Sequence, residues 1–467
     1  MSKILWVCPC CVHDLASESA LQVRNMIASL VERNVSLVCL SSTIRSSRDP
    51  NTLHPVAREL ILHSNSKFQF ADERVQYIYT ITEPHSLSSM TIAEQSSFYS
   101  EMTPIICGFK PDLVIASSSD IVSMSCLNLA KNLKIPTAFV LLEQPANDFA
   151  FYDSDVIISS SQSLIDEYVT PQGKKAVYVG PFVIPNGPLM NSVAQQEVIG
   201  EQLNKRKLIL MVSPDFEHGL GIFLALYLSL SQKLKQYEFA LLETEDNQLL
   251  LNVGGYQYQG KKAFDSDKLS QLKLFKVCSD INEILSQTRV LVMPTLSYVS
   301  NSSLGLQALS HGVSIITTKQ AILKEQLKKA ATYIEVDQEL IDDMTLAPNE
   351  KQLEPWLNAL KQALTDSPNM QCFWQALESC DYVKSSRRLA HVLKSLLELE
   401  AGNNPQLLRT GAFSLKAILQ AEEEAQKRAA QLAAQEDQVN NSALYSYSSL
   451  TKQCQQELST QGTNNIG

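Results

Sequence analysis

One stretch sets the architecture: Val290-Leu-Val-Met-Pro-Thr-Leu-Ser297, then Ser303-Leu-Gly-Leu-Gln-Ala-Leu-Ser-His-Gly-Val-Ser-Ile-Ile-Thr-Thr318, followed by Glu325. The apolar run Val290–Met293 reads as a buried strand, Ser303–His311 has helical period, and Ser314–Thr317 reads as the next strand. Strand, helix, strand is the unit of a parallel sheet covered by helices. Working back, the same alternation predicts strands at Lys207–Val212, Glu238–Glu243 and Leu272–Lys276, with helices at Gly221–Leu234 and Ile281–Ser286. The first half repeats it. Strands are expected at Lys3–Cys8, Ser36–Leu40, Val75–Tyr79, Asp112–Ala116, Thr137–Leu142, Val156–Ser159 and Ala176–Val179. Helices are expected at Glu18–Glu32, Ala93–Cys107, Ile121–Asn132 and Ser163–Tyr168, and a polar, Ser-rich stretch at Ser41–Asn51 interrupts the alternation after the second strand.

Between the two series lies Pro181-Phe-Val-Ile-Pro-Asn-Gly-Pro188, whose three prolines forbid a continuous helix or strand. The expected organisation is an α/β chain of two tandem doubly wound, Rossmann-like domains facing a cleft. They cover 1–188 and 207–375, joined by a linker at 189–206 and completed by a closing helix at 376–400. The region from Leu353 to Glu400 has helical period, with Leu389, Val392, Leu393 and Leu396 as its buried stripe. Residues 401–467, rich in Ala, Glu and Gln and then in Asn, Gln, Ser and Thr, read as a helical and then disordered tail.

Composition narrows the function. The 467 residues are 45% hydrophobic and 19% charged, an ordinary globular balance. A net charge of −10 opposes nucleic acid as the main partner. The apolar run at the start is too short for a signal peptide, and no run approaches a spanning helix, so a cytoplasmic chain is expected. The ten scattered cysteines read as free thiols. Cys8, Cys10, Cys11 and His13 lie too close together for the usual paired spacing of a metal site, and no metal is expected. With 16 glycines, about half the usual ~7%, glycine-rich phosphate loops are disfavoured.

Taken in order, five pieces resemble the GT-B fold glycosyltransferases, and family 4 most closely. The stretch at 290–325 is similar to the family's strand, its Glu-Ala-Met-Ala-x-Gly helix, the next strand and a trailing Glu. Asp280-Ile-Asn-Glu-Ile-Leu resembles the step before it, and Ala330-Ala-Thr-Tyr-Ile334 the step after. Ser154-Asp155-Val-Ile-Ile-Ser159 resembles a strand of the first domain, and Val183-Ile-Pro-Asn-Gly187 the hinge entry. The resemblance covers roughly 1–400. It implies transfer of a sugar from a nucleotide-diphosphate sugar to a glycan, lipid or protein acceptor in glycan biosynthesis. It further implies retention of configuration and no required cofactor.

Such a reaction develops negative charge on the leaving diphosphate, which needs cationic or N–H partners. The family's Arg and Lys fall at Pro214 and His218 here. His218 and the helix beginning near Gly219 are left to meet the diphosphate, unless His218 is an ordinary loop histidine. The family's paired carboxylates fall at Val299 and Gln307, so Gln307 is the candidate for a ribose hydroxyl. Ser300, Asn301, Ser302 and Ser303 are candidates for sugar contacts or for capping the next helix. In the first domain His13, Asp14 and Ser17 are expected to face the crevice, and Glu143 and Asp148 stand where a family histidine often occurs. His13 and Glu143 are the catalytic candidates; Glu143 and Asp148 read equally well as solvated loop acids. Loss of the Arg, the Lys, both Glu residues and the family's Gly-Gly loop between the first strand and the first helix, here Cys8–Glu18 with no glycine, supports a second reading, a non-catalytic accessory or binding relative.

Overall fold

The computed structural model describes residues 2–394, apart from 34, 48, 73, 84–85, 148, 191–202, 204, 244–247, 259–260, 265–268, 270–271, 277–280 and 300. Asp148, Ser300, Asp280 and the expected tail at 401–467 thus lie outside the described residues.

The first lobe is built on strands β1 (Lys3–Cys10), β2 (Ser36–Ile44), β3 (Phe68–Asp72), β4 (Val75–Thr80), β5 (Leu113–Ala116), β6 (Thr137–Leu141), β7 (Val156–Ser159) and β8 (Ala176–Tyr178). Its order is β3-β4-β2-β1-β5-β6-β7-β8, parallel except for the β3–β4 pair. Central β1 is buried from Ile4 to Val7, as an apolar strand covered on both faces must be. The helices are α1 (Glu18–Val31), α2 (Pro55–His63), α3 (Ile92–Ser100), α4 (Met102–Phe109), α5 (Ile121–Asn132) and short α6 (Gln162–Leu164), which runs on into a π-helical turn at Ile165–Val169. In α1 the Ser17 hydroxyl accepts from the Ala20 N–H, and Val23, Met26, Ile27 and Leu30 form the buried face.

The second lobe has strands β9 (Leu208–Val212), β10 (Glu238–Leu242), β13 (Lys273–Phe275), β14 (Thr288–Met293), β15 (Ser314–Thr318) and β16 (Ala331–Ile334), ordered β13-β10-β9-β14-β15-β16 and parallel throughout. A small hairpin, β11 (Gln257–Tyr258) with β12 (Lys261–Lys262), stands apart. Its helices are α7 (Leu220–Leu230), α8 (Gln248–Val253), α9 (Asn282–Gln287), α10 (Ser303–Ser310), α11 (Ala321–Leu327) and α12 (Gln338–Asp342). Helices α13 (Glu350–Thr365), α14 (Met370–Ser379) and α15 (Tyr382–Lys394) follow. Leu389 and Leu393 of α15 are buried in the core of the first lobe beside Phe182. The Tyr382 hydroxyl donates to the Asn25 carbonyl (3.1 Å), so the chain crosses back to its starting lobe.

Three local expectations are corrected. The Ser-rich stretch is strand as far as Ile44, because Ser41 donates its hydroxyl to the Cys10 carbonyl (2.6 Å) and Ser42 donates to the Pro9 carbonyl at the β1 bulge. Those bonds let polar side chains be buried. The single helix expected at Ala93–Cys107 is two, broken near Glu101; Pro104 has no N–H to offer the preceding turn. Helix α7 ends at Leu230 rather than Leu234. Among the described residues no helix is long and apolar enough to cross a membrane.

Candidate functional site

In each lobe the strand order reverses beside the first strand, at β1/β5 and at β9/β14. Such a switch point, at the carboxyl ends of the strands, is the crevice where open α/β sheets place ligands. On the second lobe its walls are the loop after β9, with His218, and the loop after β14, which leads into α10. The loops are joined: the Leu296 and Ser297 N–H groups both donate to the Glu217 carbonyl (2.7 and 3.1 Å). Gly219 makes this approach possible. Its φ of +75° is one that side chains resist, and a Cβ there would lie 2.1 Å from the Pro294 carbonyl oxygen.

His218 is half-buried, and its Nδ1–H donates to both carboxylate oxygens of Asp215 (2.7 and 2.9 Å). Asp215 Oδ1 also accepts the His218 backbone N–H (2.7 Å). Burial alone would lower the imidazole pKa. The Asp215 hydrogen bond and charge, with Glu217 and Glu18, outweigh it and raise the value above the ordinary one. The site thus presents a histidine biased toward its cationic form next to the start of α7.

The partner facing it from the first lobe is Glu18, which the sequence reading did not single out. Its carboxylate accepts the Leu304 N–H in the first turn of α10 (3.3 Å). Burial pushes its pKa up from 4.5 to about 7, against that hydrogen bond and the His218 charge. Between these values the folded chain holds more protons at Glu18 than the unfolded chain, so its contribution to stability falls as pH rises through the window. His218, also raised, acts with the same sign. Glu18→Gln keeps the acceptor for Leu304 but cannot ionise. It should match the unsubstituted chain near pH 5 in urea denaturation and exceed it by about 1–3 kcal/mol at pH 8. Parallel pH profiles for the two chains would remove Glu18 from this account.

Glu143 lies at the rim after β6. Although the residue is exposed, desolvation with the like charge of Asp120 raises its pKa despite the Ser19 hydroxyl donating to it (3.1 Å). It therefore shares one edge of the crevice with Glu18 and Ser19.

His13 is not in the crevice. It is fully buried among Phe70, Tyr77 and Tyr79, with Nδ1 2.7 Å from the Tyr79 hydroxyl, and burial lowers its pKa to about 3. The sheet edge added by β3 and β4 turns this side chain into core. Asp14 is likewise buried, accepting from the Ala16 and Ser46 N–H groups (3.0 and 2.6 Å), and Ser17 caps α1. The Gln307 amide is taken up by the hinge: its Nε2 donates to the Ile184 carbonyl (2.9 Å) and its Oε1 accepts the Asn186 N–H (3.3 Å). Asn301 Oδ1 accepts from the Ser303 N–H and hydroxyl (3.1 and 2.8 Å), and Ser302 gives its N–H and hydroxyl to Gln326 Oε1 (both 2.8 Å). Asn301, Ser302 and Ser303 thus organise the start of α10, and all three are buried.

Further contacts close the lobes. Glu325 of α11 accepts four hydrogen bonds from the start of α6: the hydroxyls of Ser161 and Ser163 (2.8 Å each) and the N–H groups of Gln162 (2.9 Å) and Ser163 (2.8 Å). The Tyr298 hydroxyl donates to Glu167 (3.1 Å), and its ring packs edge-on against Tyr168. The second sheet has the parallel Rossmann order 3-2-1-4-5-6, the first has the same order extended by β8 and by the antiparallel edge strand β3, and solved structures share this two-lobed arrangement over most of the chain. A glycosyltransferase from Rickettsia africae matches with a TM-score of 0.57 at 12% identity, over 85% of this chain and 99% of that one.

The fold is GT-B.

An α,α-trehalose-phosphate synthase (UDP-forming) from Burkholderia vietnamiensis matches the GT-B chain with a TM-score of 0.55 at 10% identity, covering 85% and 97%. An E. coli trehalose-6-phosphate structure bound with UDP-2-fluoro glucose matches with a TM-score of 0.54 at 9% identity, covering 85% and 99%. No protein-family model and no curated protein sequence matches the chain.

Proposed function

We propose that the chain is a glycosyltransferase that takes its sugar from a nucleotide-diphosphate donor held at the second lobe, with retention of configuration as the family resemblance implies. The observation that carries this reading is the Asp215–His218 pair just before α7, which sets a histidine biased toward its cationic form on the crevice wall. His218 would neutralise charge on the leaving diphosphate. Glu18 and Glu143 would line the side from which the acceptor approaches, and the UDP-2-fluoro glucose of the structural neighbour makes a uridine donor the first to try. Because the Leu304 N–H is held by Glu18, donor entry would require the lobes to part or Glu18 to swing aside.

The non-catalytic reading keeps one specific support. Gln307, Asn301, Ser302, Ser303 and the Leu304 N–H are all occupied by the chain itself. Calorimetric titration with UDP-, GDP- and ADP-sugars separates the two. Saturable binding, weakened about 10- to 100-fold by His218→Ala, is expected from the loss of one charge-assisted contact. No binding across the panel would overturn the transferase reading in favour of an accessory role.

A further inference from the structure

An open cavity of about 480 Å³ lies where both lobes meet the returning helices. That is within the size range of small-molecule sites. Its wall joins Tyr178 of the first lobe, Glu325 and Lys328 of the second, Glu378 near the end of α14, and Lys384 and Arg388 of α15. The two acids are already matched. Glu325 is satisfied by the four donors of α6, and Glu378 faces Lys384 at 3.8 Å. Lys328 and Arg388 have no carboxylate partner among the described residues. The Arg388 guanidinium lies 5.5 Å from the centre of the Tyr178 ring, which orients its flat fork.

Lys328 carries a second signal. Its backbone has φ 50° and ψ −124°, a conformation available at low cost only to glycine. The Tyr333 hydroxyl holds it there by donating to the Lys328 carbonyl (2.7 Å). A lysine kept in a glycine conformation at the edge of a cavity, opposite an unmatched arginine, is backbone strain of the kind that collects at binding sites.

We infer that this cavity binds a small molecule carrying a phosphate or a similar doubly charged oxyanion, with Arg388 as the bidentate partner and Lys328 as the point charge. The site is separate from the crevice of the proposed transfer reaction and does not depend on that reading. Since its walls come from both lobes, a bound anion ties them together.

The test is calorimetric titration of the full chain with inorganic phosphate and with ribose 5-phosphate at low ionic strength. One-to-one binding is expected, weakened at least tenfold by Lys328→Gln and by Arg388→Gln, retained by Lys328→Arg and unchanged by His218→Ala. Lys328→Gly should lose binding while melting no lower than the unsubstituted chain, which keeps loss of ligand apart from loss of fold. Failure of both probes to bind, binding unaltered by both charge-removing substitutions, or binding abolished by His218→Ala would each overturn the assignment.

Discussion

Glu325→Ala is expected to lower the stability of the chain by about 2–4 kcal/mol and to loosen the closure of the lobes. The carboxylate is the single acceptor for two hydroxyls and two backbone N–H groups at the start of α6. Charge-assisted bonds of this kind are worth more than neutral ones, but part of the loss is recovered because the site is only partly buried and water can replace the acceptor. Glu325→Gln should cost less than alanine and more than nothing, since its amide nitrogen would face donors. Urea denaturation reads the stability, and small-angle scattering reads an increase in the radius of gyration. An unchanged midpoint together with unchanged scattering would show that other contacts hold the lobes.

Gly219→Ala is expected to cost roughly 2–5 kcal/mol, combining left-handed backbone strain with a steric conflict. The added carbon would sit 2.1 Å from the Pro294 oxygen and 2.9 Å from its carbonyl carbon, backbone atoms that no rotamer change can move aside. Relief requires the loop after β9 to shift from the loop after β14, stretching the bonds that Leu296 and Ser297 make to Glu217 and carrying His218 out of place. Donor binding, where it is measured, should fall with stability. Gly108→Ala is the matched control: it lies within α4 with nothing inside 4 Å of the new carbon, so it should stabilise by up to about 1 kcal/mol. Equal melting temperatures for the two substitutions would refute the steric argument.

Much of the architecture was legible from pattern. Buried parallel strands are continuous apolar runs, so β5, β7, β9 and β14 announce themselves, and helix α5 falls where its period places it, Ile121–Asn132. Elements whose polar groups are satisfied at a distance were harder to see. Strand β2 continues through Ser41 and Ser42 because β1 bulges to accept their hydroxyls, and edge strand β3 owes its place to pairing with β4. At the site, Asp215 stands three residues before His218, a spacing that could have marked the pair. Glu18 was hidden by its position, since an acid in the first turn of a helix is what the helix dipole favours anyway.

Residue order alone was enough for twin parallel sheets, the proline-rich passage between them and the acidic net charge, because periodicity and residue chemistry are local properties. The burial of His13, the capture of Gln307 by the hinge, the reach of Glu18 to α10 and the grip of Glu325 on α6 join positions more than a hundred residues apart, or depend on which sheet edge covers a loop. Such pairings carry no local signature; they exist only once the chain has folded back on itself.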